Sequence, residues 1–378
     1  VNGPRWRIWV LLLVAIPGLA PAVRSQGYEH FNLFLDLHFS SADRTLELYT
    51  GLGGDPGSIA RLPGSRIALA TTALLANRPL TLAFLDSSLE SVKFNQSLGD
   101  DVFQMRDARK NVAAIKELLD ALRIRNFGQK VVGTVEQLFP PDARVSVRVP
   151  VYFVAFGHEN IDAFVRRVVW HGDEPQFVGE GEGTLTIVVN LAKAVHYGAT
   201  VDDRFVGLMS VVAHEVFHAA FGAYKDASPV WQAYYARPRT RLDNLLDLTQ
   251  NEGIAYYLSL IQQTRGRLVR DWADRTRQAF EEFNKRAEEL LDPSTSPRRA
   301  TQIIQMANTS GYWQSYGSIA GMVIARQIDL ILGSQALSET IARGPADFFL
   351  KYEQAQRMGS EAPRLSPRIL DYLKNASR

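Results

Sequence analysis

The stretch VVAHEVFHAAFGAY, Val211 to Tyr224, sets two imidazoles and a carboxylate among apolar residues. His214, Glu215 and His218 form the pattern H-E-x-x-H. On an α-helix, residues four apart are separated by about 400° of rotation, so both histidines share one face, a turn apart. Their ring nitrogens can then reach one zinc ion at about 2.0–2.1 Å. Glu215 is turned about 100° from His214, too far round to bind that ion but beside a water bound to it. A carboxylate there can take a proton from water whose pKa the metal lowers. The flanks FVGLMSVVA and AAFGA bury the helix on most sides. Three groups that prefer water are costly in such surroundings, and one metal ion satisfies all of them together.

Zinc hydrolases present three protein ligands and keep one position for water. The chain has no cysteine, which excludes disulfides, thiolate zinc sites and thiol catalysis. The third ligand must therefore be His, Asp or Glu. A third histidine six residues after the second, with glycine midway, is absent, because those positions hold Tyr224 and Phe221. The better candidate is Glu252 in NEGIAYYLSL, 34 residues past His218 and near the start of the next expected helix. Its neighbours Gly253 and Ala255 are small enough to let two helices approach. A glutamate in a first turn can also do no more than favour the helix dipole. Asp243 and Asp247 in RLDNLLDLTQ are the other candidates.

Amide hydrolysis needs a donor for the developing oxyanion besides the metal. Tyr316, in GYWQSYGSIAGM with Tyr312 one turn before it, is the candidate catalytic partner of Glu215. Two aromatic core residues are the plainer explanation of that pair. His196 is a second possible donor. His158 and His171 lie near expected sheet turns, and nothing in the sequence ties them to the motif.

H-E-V-F-H followed some thirty residues later by N-E-G-I-A resembles the gluzincin-type zinc metallopeptidases. The flanks resemble more closely a bacterial group known only as putative zinc-dependent peptidases. That likeness runs from about Val145 to Tyr352, through TLTIVVNL, NEGIAYYL, YGSIAGMVIARQID and GPADFFLKY. It implies zinc on His214, His218 and Glu252, with Glu215 as general base. It also implies a strand beside the active helix, and the expectation is that LTIVVNLA is an open edge that pairs with extended substrate. The Gly-rich GEGEGT before it reads as a flap or a plain hairpin loop. One position departs from the pattern. Many gluzincins carry Asp four residues after the ligand Glu, orienting a histidine, whereas this chain has Tyr256. Asp243, Asp247 or the phenol itself would have to serve instead.

The elements that must hold these groups are mostly helices. Apolar residues recur at helical spacing in IALATTALLA, LAFLDSSLESVKF and NVAAIKELLDALRIRNF, so residues 26–140 read as a helical N-terminal region. HFNLFLDLHF, His30 to Phe39, suits a strand or a helix entry. After Pro140 and Pro141 the alternating RVSVRVPVYFVAFG predicts a strand, and LTIVVNLA predicts a second. Further helices are expected over 203–220, 251–263, 268–291, 300–308, 312–332, 336–343 and 346–354. The fold expected is α+β and predominantly helical, with a small sheet beside the H-E-x-x-H helix and a metallopeptidase-like domain over 141–378.

Composition narrows the partners. The chain has 378 residues, 46% apolar and 22% charged, and a net charge of +2 from 42 basic and 40 acidic side chains. That balance gives no electrostatic case for nucleic acid. Arg5 and Arg7 precede the apolar run IWVLLLVAIPGLA, and small residues follow at Ala20 and Ala22. This is the layout of a secretory signal peptide over residues 1–25, with an uncleaved membrane anchor as the alternative. No other segment reads as a membrane span. The expected protein is a periplasmic or secreted zinc-dependent hydrolase acting on peptide or protein substrates. Two rivals use the same residues: an exported binding or structural protein that keeps the metal helix, and a zinc hydrolase of a non-peptide substrate.

Overall fold

The computed structural model describes residues 30–179, 182–264, 268–309, 313–359 and 361–376. The expected signal peptide, Tyr312 and residues 180–181 of the Gly-rich stretch lie outside them. Strand β1 (Phe31–His38) buries Phe31, Leu33 and Leu35 and exposes Asn32 and Phe34, the alternation of a half-buried strand. Helices α1 (Ser40–Thr50), α2 (Pro56–Arg61), α3 (Pro63–Leu75), α4 (Leu82–Lys93), α5 (Met105–Lys110), α6 (Val112–Ile124) and α7 (Phe127–Glu136) follow. Then come β2 (Val145–Val154), β3 (Ala163–His171), β4 (Glu174–Val178) and β5 (Thr184–Asn190). The rest is helical: α8 (Leu191–Ala194), α9 (Val201–Ala227), α10 (Pro229–Ala236), α11 (Arg241–Thr264), α12 (Trp272–Leu291), α13 (Pro297–Thr309), α14 (Tyr316–Leu332), α15 (Ser334–Arg343), α16 (Pro345–Arg357) and α17 (Pro367–Ala376). The protein is predominantly helical α+β, as its periodicities predict.

The five strands form one mixed sheet in the order β1-β2-β5-β3-β4. β1 runs parallel to β2 from Phe31↔Val145 to His38↔Tyr152. β5 is parallel to β2 and antiparallel to β3. LTIVVNLA is therefore a central strand, and its expected role as a substrate-pairing edge does not hold. Its residues Ile187, Val188 and Val189 are buried, as befits a strand covered on both faces. The sheet also crosses the sequence boundary near 140, because β1 belongs to the N-terminal region. Phe139 packs against Phe217, Phe221 and Tyr224 of α9, and Phe127 of α7 packs edge-on against Phe205. A cluster of buried apolar residues runs from Phe31 to Leu373.

α9 carries the motif. Thr200 and Asp203 exchange hydrogen bonds in a capping box that fixes its first turn. By length and composition it would also pass as a membrane span, contrary to the expectation that no segment beyond the N-terminal apolar run would. Its apolar faces pack on β2, α7 and α11, so burial within the fold accounts for them. α11 is longer than expected, because RLDNLLDLTQ belongs to it. Thr240 and Asp243 bond reciprocally at its start. This puts Glu252 in the middle of the helix, where a dipole role is ruled out.

α11 and α14 cross with their backbones in contact. A Cβ on Gly253 would lie 2.3 Å from the Gly321 Cα, and one on Gly321 would lie 2.0 Å from the Thr249 carbonyl oxygen. Only glycine fits at both positions. The crossing holds the part of α11 that bears Glu252.

Candidate metal centre

Three of the residues singled out by sequence converge. One ligand atom each from His214, His218 and Glu252 lies within 4.8 Å of the other two. The two Nε2 atoms are 3.1 Å apart, and Glu252 Oε2 is 3.9 Å from His214 Nε2 and 3.6 Å from His218 Nε2. A point equidistant from three atoms so spaced lies about 2.1 Å from each, which matches zinc–nitrogen and zinc–oxygen bond lengths.

Hydrogen bonding decides which ring nitrogens face that point. His218 Nδ1 is 3.1 Å from Asn251 Oδ1, which can only accept, so the ring proton sits on Nδ1. The Ala255 carbonyl accepts a hydrogen bond from the His214 ring, and Ser259 Oγ lies 3.5 Å from its Nδ1. Burial first, and then His218, hold the His214 pKa well below the usual imidazole range, so this ring is neutral. Two lone pairs and a carboxylate oxygen thus face one another. A cation relieves that arrangement, and its donors, two imidazoles and one carboxylate, suit zinc with a position left open.

Glu215 is beside the cluster. Burial raises its carboxyl pKa to about 7; His218 lowers it, Glu252 raises it further and Arg166 lowers it. A carboxyl poised near neutrality is suited to taking up and releasing a proton.

The groups that orient the histidines are only in part those expected. Asp243 bonds Thr240 and Arg237 at the start of α11. Asp247 takes Lys225 at 2.7 Å and Tyr235 at 2.8 Å. Both are committed elsewhere. Asn251 holds His218 instead, and Tyr256 packs edge-to-face on His214 with ring centroids 5.3 Å apart. Asn251 was missed because an amide next to a glutamate has no pattern of its own, although its place one residue before Glu252 was open to view. Asn251→Ala should weaken zinc binding about 10–100-fold, as measured by competition with a chelating dye. Unchanged affinity would show that Asn251 does not orient His218.

Tyr316 is not brought to this cluster as an oxyanion donor. It is buried, and its hydroxyl donates to the Ile303 carbonyl at 2.6 Å. Burial raises its pKa, with Arg286, Glu282, Arg299 and Glu289 as its charged neighbours. This is the core role that competed with the catalytic one. His196 is exposed and pairs with Asp107 at 2.7 Å. His158 accepts from Asn160 N, and His171 is exposed at the β3–β4 turn.

Among the described residues, the strand that leaves one side partly unpaired is β3, which also packs on α9. Asn190 N donates to the Asp162 carbonyl, and β3 pairs with β5 in the same register up to Val168↔Thr184. Alternation in an antiparallel ladder then turns the N–H and C=O of Phe164 and Arg166 toward β5, and those of Ala163 and Val165 away from it. β4 pairs with β3 from Arg167 to His171. Among the described residues no strand pairs with Ala163 or Val165 on their outer side.

Residues 66–360 match a family described as putative zinc dependent peptidase (DUF5700). The match begins within the N-terminal helices, well before the stretch that carries the sequence likeness. No curated protein and no solved structure matches.

Proposed function

The chain belongs to this family of zinc dependent peptidases, putative by description, and on that footing we propose that it hydrolyses peptide bonds with a zinc ion held by His214, His218 and Glu252. The observation that carries this reading is the convergence of those three donors, with lone pairs inward, next to the buried carboxyl of Glu215. Zinc bound there would supply Lewis acidity and make a neighbouring water more acidic. Glu215 receives the proton of the attacking water and passes it to the departing amine. Asn251 and the Ala255 carbonyl hold the two imidazoles in the tautomer that turns Nε2 inward. The outward backbone groups of Ala163 and Val165 offer an extended peptide a strand to pair with. Arg5, Arg7 and the apolar run after them favour action outside the cytoplasm.

The test is a randomised peptide library read by mass spectrometry, alongside small ester and amide substrates. Purified protein should cut peptides. A chelator should abolish cleavage, and added zinc should restore it. Cleavage of esters alone would transfer the activity to another substrate class, and cleavage that survives the chelator would refute the zinc role.

A further inference from the structure

Arg166 leaves β3 at the end of its open half, and it has no part in holding a metal or moving a proton. Its guanidinium lies 4.2 Å from the Phe164 ring centroid, and Nη1 donates to the Val165 carbonyl at 2.9 Å. That carbonyl is one of the two turned away from β5, so the guanidinium lies over the open edge. The residue is exposed, and among the described residues no carboxylate pairs with it. Its charge reaches Glu215, where it opposes the effect of burial on that carboxyl. One cation therefore lies over the edge offered to an extended chain and acts electrostatically on the proton-transferring acid.

We infer that Arg166 is the receptor for a carboxylate carried by the peptide substrate, an inference that rests on the proposed peptidase function. A guanidinium presents a planar fork of N–H donors that matches a carboxylate in bidentate fashion. At present that fork is spent on a neutral carbonyl and a ring face, both weaker partners than an anion. A substrate strand pairing with β3 donates its own N–H to the Val165 carbonyl. This displaces Nη1 and frees the fork next to the bound chain. The same cation offsets the repulsion that Glu215 and Glu252 exert on an incoming anion. The carboxylate can come from a free C-terminus or from an acidic side chain.

Binding to the full-length, zinc-loaded protein carrying Glu215→Gln separates these sources without turnover. Three hexapeptide libraries of neutral residues serve as probes: one with a free C-terminus, one amidated, and one amidated with a single glutamate. The free-acid or the glutamate library should bind about 10-fold or more tightly than the amidated neutral one, the size of a charged hydrogen-bonded contact. Adding Arg166→Gln should bring that ratio to about one, and Arg166→Lys should restore part of it. Preference for the free acid assigns the contact to the terminus, and preference for glutamate assigns it to a side chain. Equal binding of all three libraries, or a ratio that survives Arg166→Gln in protein with an unaltered melting midpoint, overturns the inference. A failure of the peptidase reading shows separately, as uncut peptide with the unmutated protein while the binding ratio stands.

Discussion

Glu215→Gln is expected to keep its zinc and lose its turnover. The substitution preserves shape and can still form hydrogen bonds, but an amide cannot accept the proton of the attacking water. Removing a positioned acid–base group costs about 10²–10⁴-fold in rate, so kcat should fall by at least that much. Zinc content should hold, because the three donors that converge are His214, His218 and Glu252, with Glu215 outside the set. The buried carboxyl also carries a desolvation cost that the amide avoids, so the variant should melt no lower than the parent. Turnover and bound zinc are measured on the same preparation. Retained turnover would remove the proton-transfer role from Glu215. Lost zinc would mean that Glu215 helps to bind the metal.

Gly321→Ala should damage the metal centre from a distance. The added methyl would sit 2.0 Å from the Thr249 carbonyl oxygen and 2.7 Å from the Gly253 Cα. Both obstacles are backbone, so no side chain can rotate aside. Overpacking costs typically about 1–3 kcal/mol when a core can adjust, and here α11 must move away from α14. Glu252 precedes Gly253 on α11 and would move with it. The melting midpoint should fall by several degrees, and zinc affinity should drop about 10–100-fold, as when groups that orient metal ligands are lost. Gly133→Ala in α7 is the control, because a methyl there meets nothing within 4 Å. It should leave zinc binding unchanged and raise stability by about 0.4–1 kcal/mol. Zinc affinity equal to that of the parent in Gly321→Ala would show that the crossing does not position Glu252.

How much of this was legible from residues alone depended on range. His214, Glu215 and His218 could be read because a helix fixes the relation of residues four apart, and burial of the flanks was written in their composition. Glu252 could be read because small residues surround it, although its place near a helix start was misjudged. The true start, at Arg241, depends on a Thr240–Asp243 exchange in a stretch that also suits a loop. Strand order was not legible. LTIVVNLA is apolar apart from Thr186 and Asn190, which fits a central strand covered on both faces, but nothing local says which strands flank it. The β3–β4 hairpin was missed because VRRVVWHGDEPQFV mixes charge with β-branched residues, and only pairing with β5 settles it. Tyr316 failed as a donor for a similar reason. Its spacing from Tyr312 gave a helix face, but where that face points is set by α13, whose Ile303 carbonyl takes the hydroxyl.

Everything proposed for this chain depends on one divalent cation shared by α9 and α11. The most direct test is the metal content of the purified full-length protein by plasma mass spectrometry after zinc loading and removal of excess, with His218→Ala and Glu252→Gln carried through in parallel. One zinc per chain in the parent, and far less in both variants, is the result this geometry predicts. A parent chain that holds no zinc, or variants that hold as much as the parent, would contradict it.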